Sequence, residues 1–433
     1  MRRLILLGML AAVVLPAGAT KRVTVAQLEQ ILTAASSAHR NDESVVRIFG
    51  DLELTEQLNN ATRSRIDAKL HLGPKTALAL QLLADQSAFL DLPASDRTAI
   101  PQPDAPTQQH ILNSARAYVV QMMPHLPDFI ATRSTFRFDN SPQIIKENEW
   151  PVHAGLHLVG SSTREITLRE DTAVPNSGLR SVTASAPLPN ATPESGLRTS
   201  GEFGPILALV MLDTYKGKIS FHHLEQTPGG TVAVYRYSVP KSTSHYTVDY
   251  CCIVDKAEAA LRQGGRRGSG VPPPVALQDN LANHFHKMPA YHGSLVIDPV
   301  SGAILRITIQ AELDIDGPVT RADILVEYGP VLIGDRKFIC PVLSLALTQG
   351  LAGTNATFGI PPDMQINEVS FTNYHRLGTS IRIIPETGEA SAPTLDKEKP
   401  DAQTTPAPAS QPTVAPEPTS APGVPPATEA APG

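Results

Sequence analysis

The stretch Asn283–Gly293, NHFHKMPAYHG, carries three histidines, His284, His286 and His292. Imidazole ligates transition metals and serves as a general base near neutral pH, so this cluster is the first place to look for chemistry. What it can do depends on the backbone. On a strand, side chains two residues apart share a face, and His284 with His286 would form a His-x-His ligand pair. On a helix the same two stand about 200° apart around the axis and cannot grip one ion. Leu277, Leu281, Phe285 and Met288 recur at helical spacing just before Pro289, and that stripe favours the helix. The three histidines are therefore expected to face solvent or pack, with a metal site of His284, His286 and His292 as the alternative. His222 and His223 are neighbours, which a strand would aim at opposite faces.

The acids of Glu312-x-Asp314-x-Asp316-Gly317, with Asp323 at the twelfth position, resemble the start of a calcium loop. Leu313 and Ile315 instead continue a strand alternation, so a row of acids on a wet strand face is expected. No Gly-x-Ser-x-Gly, His-Glu-x-x-His or Walker-type loop occurs. No catalytic residue is assigned and no cofactor is expected. Cys251 and Cys252 are adjacent and Cys340 stands alone. On a strand only one of the neighbours can meet Cys340. One disulfide, from Cys340 to Cys251 or Cys252, is expected, with three buried thiols as the alternative.

The elements that must position these residues fall into two kinds. Residues 20–92 read as helical. Thr24 and Gln27 match a capping box, Asp42 opens a second helix, and Gly73-Pro74 opens a third. Residues 93–106 read as a linker. Residues 107–385 read as one domain of mostly antiparallel sheet, opened by a helix over 107–123. Residues 172–200 read as an exposed loop. From Ala303 to Ile315 every second residue is apolar, including Leu305, Ile307 and Ile309, while Arg306, Thr308 and Gln310 fall between them. That period of two predicts one buried and one wet face. Asp316-Gly317-Pro318 and Gly334-Asp335 are short turns, so the strands over 303–347 should be antiparallel neighbours.

The chain has 433 residues, 41% hydrophobic and 18% charged, with formal net charge -6. That balance supplies no basic face, and no nucleic-acid partner is expected. Arg2, Arg3, the apolar run Leu4–Leu15 and Ala17-Gly18-Ala19 read as a secretory leader over residues 1–19. No later stretch reads as a transmembrane helix. Residues 386–433, dominated by Pro, Ala, Thr, Ser and Glu, read as a disordered tail.

Several phrases together resemble a family of uncharacterised exported bacterial proteins. They are LPDFIATRSTFRF from Leu126, GEFGPILALVMLD from Gly201, TVAVYRYSVP from Thr231, YHGSLVIDPVSGAILRI from Tyr291, VEYGPVLIGDRKFICPV from Val326 and NEVSFTNYHRLG from Asn367. More coarsely, the Tyr-x-Gly, Asp-Pro-x-Ser-Gly and late Phe-x-x-Tyr pattern is similar to periplasmic lipoprotein-carrier and sigma-regulator sensor domains. That resemblance implies a half-barrel, a curved antiparallel sheet whose concave apolar face is covered by helices.

The expected class is thus α+β, with a helical region before a large sheet. The expected role is a non-enzymatic binding or carrier module, periplasmic or extracellular, for a lipid, an acyl chain, a lipoprotein or a cell-envelope protein. The expected lining is Leu305, Ile307, Ile309, Ile324, Val326 and Tyr328, with ordinary core beneath a covering helix as the alternative for each. A hydrolase or metalloenzyme using the histidines, and an envelope scaffold, are the competing readings.

Overall fold

Thr24 opens the first helix as its pattern requires. Its hydroxyl accepts from Gln27 N while Gln27 Oε1 accepts from Thr24 N. A computed structural model describes residues 21–97, 100–140, 155–170, 180–184, 196–197, 199, 201–254, 282–350 and 363–377. The N-terminal layer runs β1 (Lys21–Val23), α1 (Val25–Ser37), α2 (Asp42–Phe49), β2 (Leu52–Leu54), α3 (Asn60–Leu70) and α4 (Pro74–Ser87), with β1 and β2 paired in parallel. Leu28, Leu32, Phe49, Leu54, Ile66 and Leu80 fill its centre. Helix α3 was not apparent in the sequence, because only Thr62 and Ile66 of it are buried and no apolar stripe marks it. The Asp42 carboxylate joins two helices: it lies in the first turn of α2 and accepts from Lys75 N (3.0 Å) and Thr76 N (2.9 Å) at the start of α4.

After α5 (Ala105–His125), capped by Asp104, the chain turns to strands. They are β3 (Phe129–Asp139), β4 (His157–Glu170), β5 (Arg180–Ala184) and β6 (Gly196–Leu197). Next come α6 (Pro205–Asp213), β7 (Lys218–Thr227), β8 (Gly230–Val239), β9 (Val248–Val254) and β10 (Ala282–Lys287). The run closes with β11 (Tyr291–Ile297), β12 (Ile304–Ala311), β13 (Val319–Ile333), β14 (Arg336–Gly350) and β15 (Asp363–Arg376). Ten strands form one sheet in the order β5-β4-β3-β15-β14-β13-β12-β11-β8-β7, every pair antiparallel, and β10-β9-β6 form a small second sheet. The class is α+β, and β12, β13 and β14 are consecutive neighbours as their turns require. No described helix is long and apolar enough to cross a membrane. Residues 1–20 and the Pro- and Ala-rich segment from 386 lie outside the described residues.

Three expectations are corrected. Residues 282–287 are a strand, not the end of a helix: β10 pairs with β9, and the apolar spacing that imitated a helix carries Phe285 against the core. Part of the expected loop over 172–200 is structured, since β5 and β6 lie within it and Leu197 is buried. The alternation over 303–315 breaks at both ends. Strand β12 stops at Ala311 and Ile315 is exposed. At the other end the pairing with β11 skips Leu305, matching Val296 to Arg306 and Ile297 to Ile304. Leu305 is the extra residue of a β-bulge, so Ile304 enters the core and Leu305 packs on the opposite face with Val232, Val234 and Val296.

Both faces of the sheet are covered. Over one face lie α5, α6 and strands β6 and β9, packing Ile111, Leu207, Val210 and Val248 against Tyr235, Leu295, Ile307 and Val326. Over the other lies the N-terminal layer, which sets Leu82 and Phe89 against Phe138, Leu325, Leu345, Leu347 and Ile366.

Candidate functional site

Pairing registers show which side chains share the second face, because directly opposed residues of an antiparallel pair point the same way. One row runs Arg236, Ser294, Thr308, Leu325, Leu345 and Glu368 across β8, β11, β12, β13, β14 and β15. The next runs His223, Val234, Val296, Arg306 and Glu327 across β7, β8, β11, β12 and β13. The residues that sequence alternation assigned to water are here partly roofed by the helical layer. Thr308 and Asp323 are buried, at 4% and 3% exposure.

Where the roof ends, a cavity of about 360 Å³ opens between the two layers. Gln57, Phe89, Leu90, Asp91 and Leu92 form its helical side, and His222, His223, Arg236, Ser294, Arg306, Thr308 and Gln310 its sheet side. Asp91 fixes the roof by an ion pair with Arg236, and its carbonyl accepts from Gln57 N (2.7 Å). Thr308 Oγ1 accepts from Ser294 N (2.8 Å). Gly293 lets the strands close up, since a Cβ there would lie 1.9 Å from Thr308 O and 2.8 Å from Tyr237 Oη, which itself donates to Thr308 O (2.6 Å).

The charged wall is built around Arg306. Its Nη2 meets Glu225 Oε2 at 3.2 Å, and both side chains are largely buried. Its Nε is enclosed and has no hydrogen-bond partner. Opposite it on β13, burial pushes Glu327 above the ordinary carboxylate value, with Arg306 opposing that rise. The histidine pair owes its geometry to a second bulge. Pairing of β7 with β8 shifts between Phe221 and His223, so His222 and His223 both reach the cavity instead of opposite faces. Their Nδ1 atoms are 2.6 Å apart, so one donates to the other. His223 Nε2 is enclosed and unpartnered. Burial pushes both imidazoles below their ordinary value; for His222 the Arg97 guanidinium adds to this, and for His223 so do His222, Arg97 and Arg306, against Glu225. An enclosed polar atom without a partner costs about 1–3 kcal/mol. Both atoms belong to residues that line the cavity.

The residues singled out from the sequence are placed as follows. Ile307, Ile309, Ile324, Val326 and Tyr328 are 5% exposed or less and lie in the core with residues of α5 and α6. Leu305 is on the other face. The histidines of NHFHKMPAYHG separate: His286 pairs with Asp249 on β9, while His292 sits in the large sheet with Nδ1 3.4 Å from Glu312 Oε1. The His284 side chain lies outside the described residues. The acids of the calcium-like stretch also separate, Asp314 to Lys287 and Asp323 to Arg321. No group of three His, Cys, Asp or Glu side chains gathers as a metal site among the described residues. Cys340 is a free, buried thiol. It packs beside Phe129, Phe203 and Phe371, and burial pushes its pKa up to about 12, far from a reactive thiolate. The Cys251 and Cys252 side chains lie outside the described residues.

A second polar cluster is structural. Asp213, at the end of α6, accepts from Tyr291 Oη (2.8 Å) and His245 N (2.9 Å) and lies 2.5 Å from His245 Nδ1. It ties the covering helix to β11 and to the loop before β9.

No family model matches the chain, and no curated protein matches it.

Proposed function

We propose that this protein is an exported, non-catalytic binding module whose ligand is a small polar molecule held between the helical layer and the sheet. The observation that carries this is that two residues lining one cavity, Arg306 and His223, each hold an enclosed nitrogen, Nε and Nε2, without a hydrogen-bond partner. Its volume of about 360 Å³ falls within the roughly 300–1,000 Å³ of small-molecule sites. A non-catalytic role is supported by how the cavity's hydroxyls are engaged. Ser294 Oγ is hydrogen-bonded to Thr308 Oγ1 at 2.9 Å, and not to an imidazole that could activate it. A polar ligand is preferred to an acyl chain because the apolar face is filled by the protein's own helices. Export rests on the leader pattern of residues 1–19.

A second reading, contact with an envelope protein or lipoprotein, is favoured by Phe136, Leu158 and Val159, which are 40%, 51% and 45% exposed on the paired strands β3 and β4.

Native mass spectrometry of the full chain, purified from the compartment into which it is exported, tests the first reading. A small polar adduct is expected on the wild type and should be lost in Ser294→Trp, which fills the cavity from the sheet side. A co-purifying acyl chain or metal ion, retained equally by Ser294→Trp, would overturn it.

A further inference from the structure

We infer that the cavity recognises its ligand through an oxyanion, a carboxylate or phosphate group, clasped between the Arg306 guanidinium and the His222–His223 pair. This rests on the cavity reading above and adds the chemical class.

A guanidinium offers five N–H donors in a planar fork, and an oxyanion takes two of them side by side. Glu225 takes one contact, at Nη2, and the enclosed Nε is left over. In the same row of the sheet, His223 Nε2 is the other enclosed nitrogen without a partner. Arg97 lies close enough to act on both imidazoles. The nearby acids are already answered: Asp91 by Arg236 and Arg97, Glu225 by Arg306, while burial drives Glu327 towards its neutral form. The nitrogens left without a partner therefore favour negative charge. Phe89, Leu90 and Val234 leave room for an apolar or ring-shaped body attached to it.

A proton must accompany the anion. Before binding, burial and the flanking cations hold the pair on the neutral side; an oxyanion against His223 reverses that field and favours the imidazolium. Affinity should rise as pH falls.

The experiment is calorimetric titration of the full chain with three probes: glucose 6-phosphate, succinate and glucose. At least one anionic probe should bind, with proton uptake visible as a dependence of heat on buffer ionisation. Binding should weaken at least about tenfold between roughly pH 5.5 and pH 8.5. Arg306→Met should weaken it at least about tenfold. His223→Gln, which keeps a donor but cannot titrate, should still bind while losing most of the pH dependence; because it keeps the Arg306–Glu225 pair, it guards against a folding defect from leaving Glu225 buried without its cation. Glucose 6-phosphate without succinate identifies a phosphate, and the reverse a carboxylate. Binding of an anion that ignores both substitutions would overturn the inference. Binding of glucose alone would overturn it too, yet leave the cavity reading intact. Binding of none of the three would count against both.

Discussion

Asp85 is a carboxyl group held where neutral atoms belong. It lies on α4, 6% exposed, with Oδ2 unpartnered and Oδ1 accepting from Gln81 Nε2 at 3.0 Å. Glu368 on β15 and Glu327 on β13 face it from the sheet, and Arg63 on α3 faces it from the helical side. Burial first, then Glu368, raises its pKa from 3.8 to about 8, against the pull of Arg63. The sign follows directly. Below its ordinary value the folded and unfolded chains both carry the proton, and the contribution to stability is whole. Between 3.8 and about 8 only the folded chain keeps it, so stability falls as pH rises, by up to about 1.4 kcal/mol per pH unit. Above that window the contribution is gone. Glu327 and Glu368 are shifted the same way by burial and add to the slope. Urea denaturation should therefore show the wild type losing stability between about pH 5 and pH 8. Asp85→Asn, isosteric and uncharged, should keep most of its low-pH stability across that range. An undiminished slope in the variant would place the proton elsewhere.

At the level of elements, caps and turns were the most legible features. Thr24 with Gln27, Gly73-Pro74 and the Gly334 turn are local devices, and each stands where the sequence put it. Asp42 was legible only as the opening of α2. That its carboxylate also caps α4 depends on a tertiary contact no local pattern encodes. Its hydrogen bond to Thr76 holds the carboxyl below its ordinary value, so this support is present above about pH 4 and fades as the group is protonated. Asp42→Ala should cost about 1 kcal/mol, as loss of an N-cap does, and should raise amide exchange at the start of α4 before it affects the sheet. The bulges were not legible. A single extra residue reverses every side chain beyond it, which moved Leu305 off the core face and brought His222 and His223 together. The strand of 282–287 was missed because a short apolar run supports either period, and its partner β9 decides between them.

At the level of the whole molecule, the site was hidden by one assumption, that a strand alternating apolar and polar has a wet side. Arg306, Thr308 and Gln310 do alternate with core residues, but the N-terminal layer roofs them and turns a solvent face into a cavity wall. The hint lay in β13 and β14. Their apolar runs, Ala322–Val326 broken only by Asp323 and Leu343–Leu347 broken only by Ser344, mark strands buried on both faces. The helical layer is thus a structural cover as well as one wall of the cavity. Removing residues 21–97 would uncover Phe138, Leu325, Leu345, Leu347 and Ile366 together with the buried acids beside them. A contiguous apolar patch of that kind drives association. The truncated chain should bind a hydrophobic dye strongly and self-associate in size-exclusion chromatography with light scattering. Leu82→Ala is the milder version: it should cost about 2–5 kcal/mol and weaken the cavity's ligand, since the 88–92 wall follows directly from α4. A truncated chain that stays monomeric and silent to the dye would mean that the sheet does not need this roof. The cavity would then be a chance gap between two independent layers.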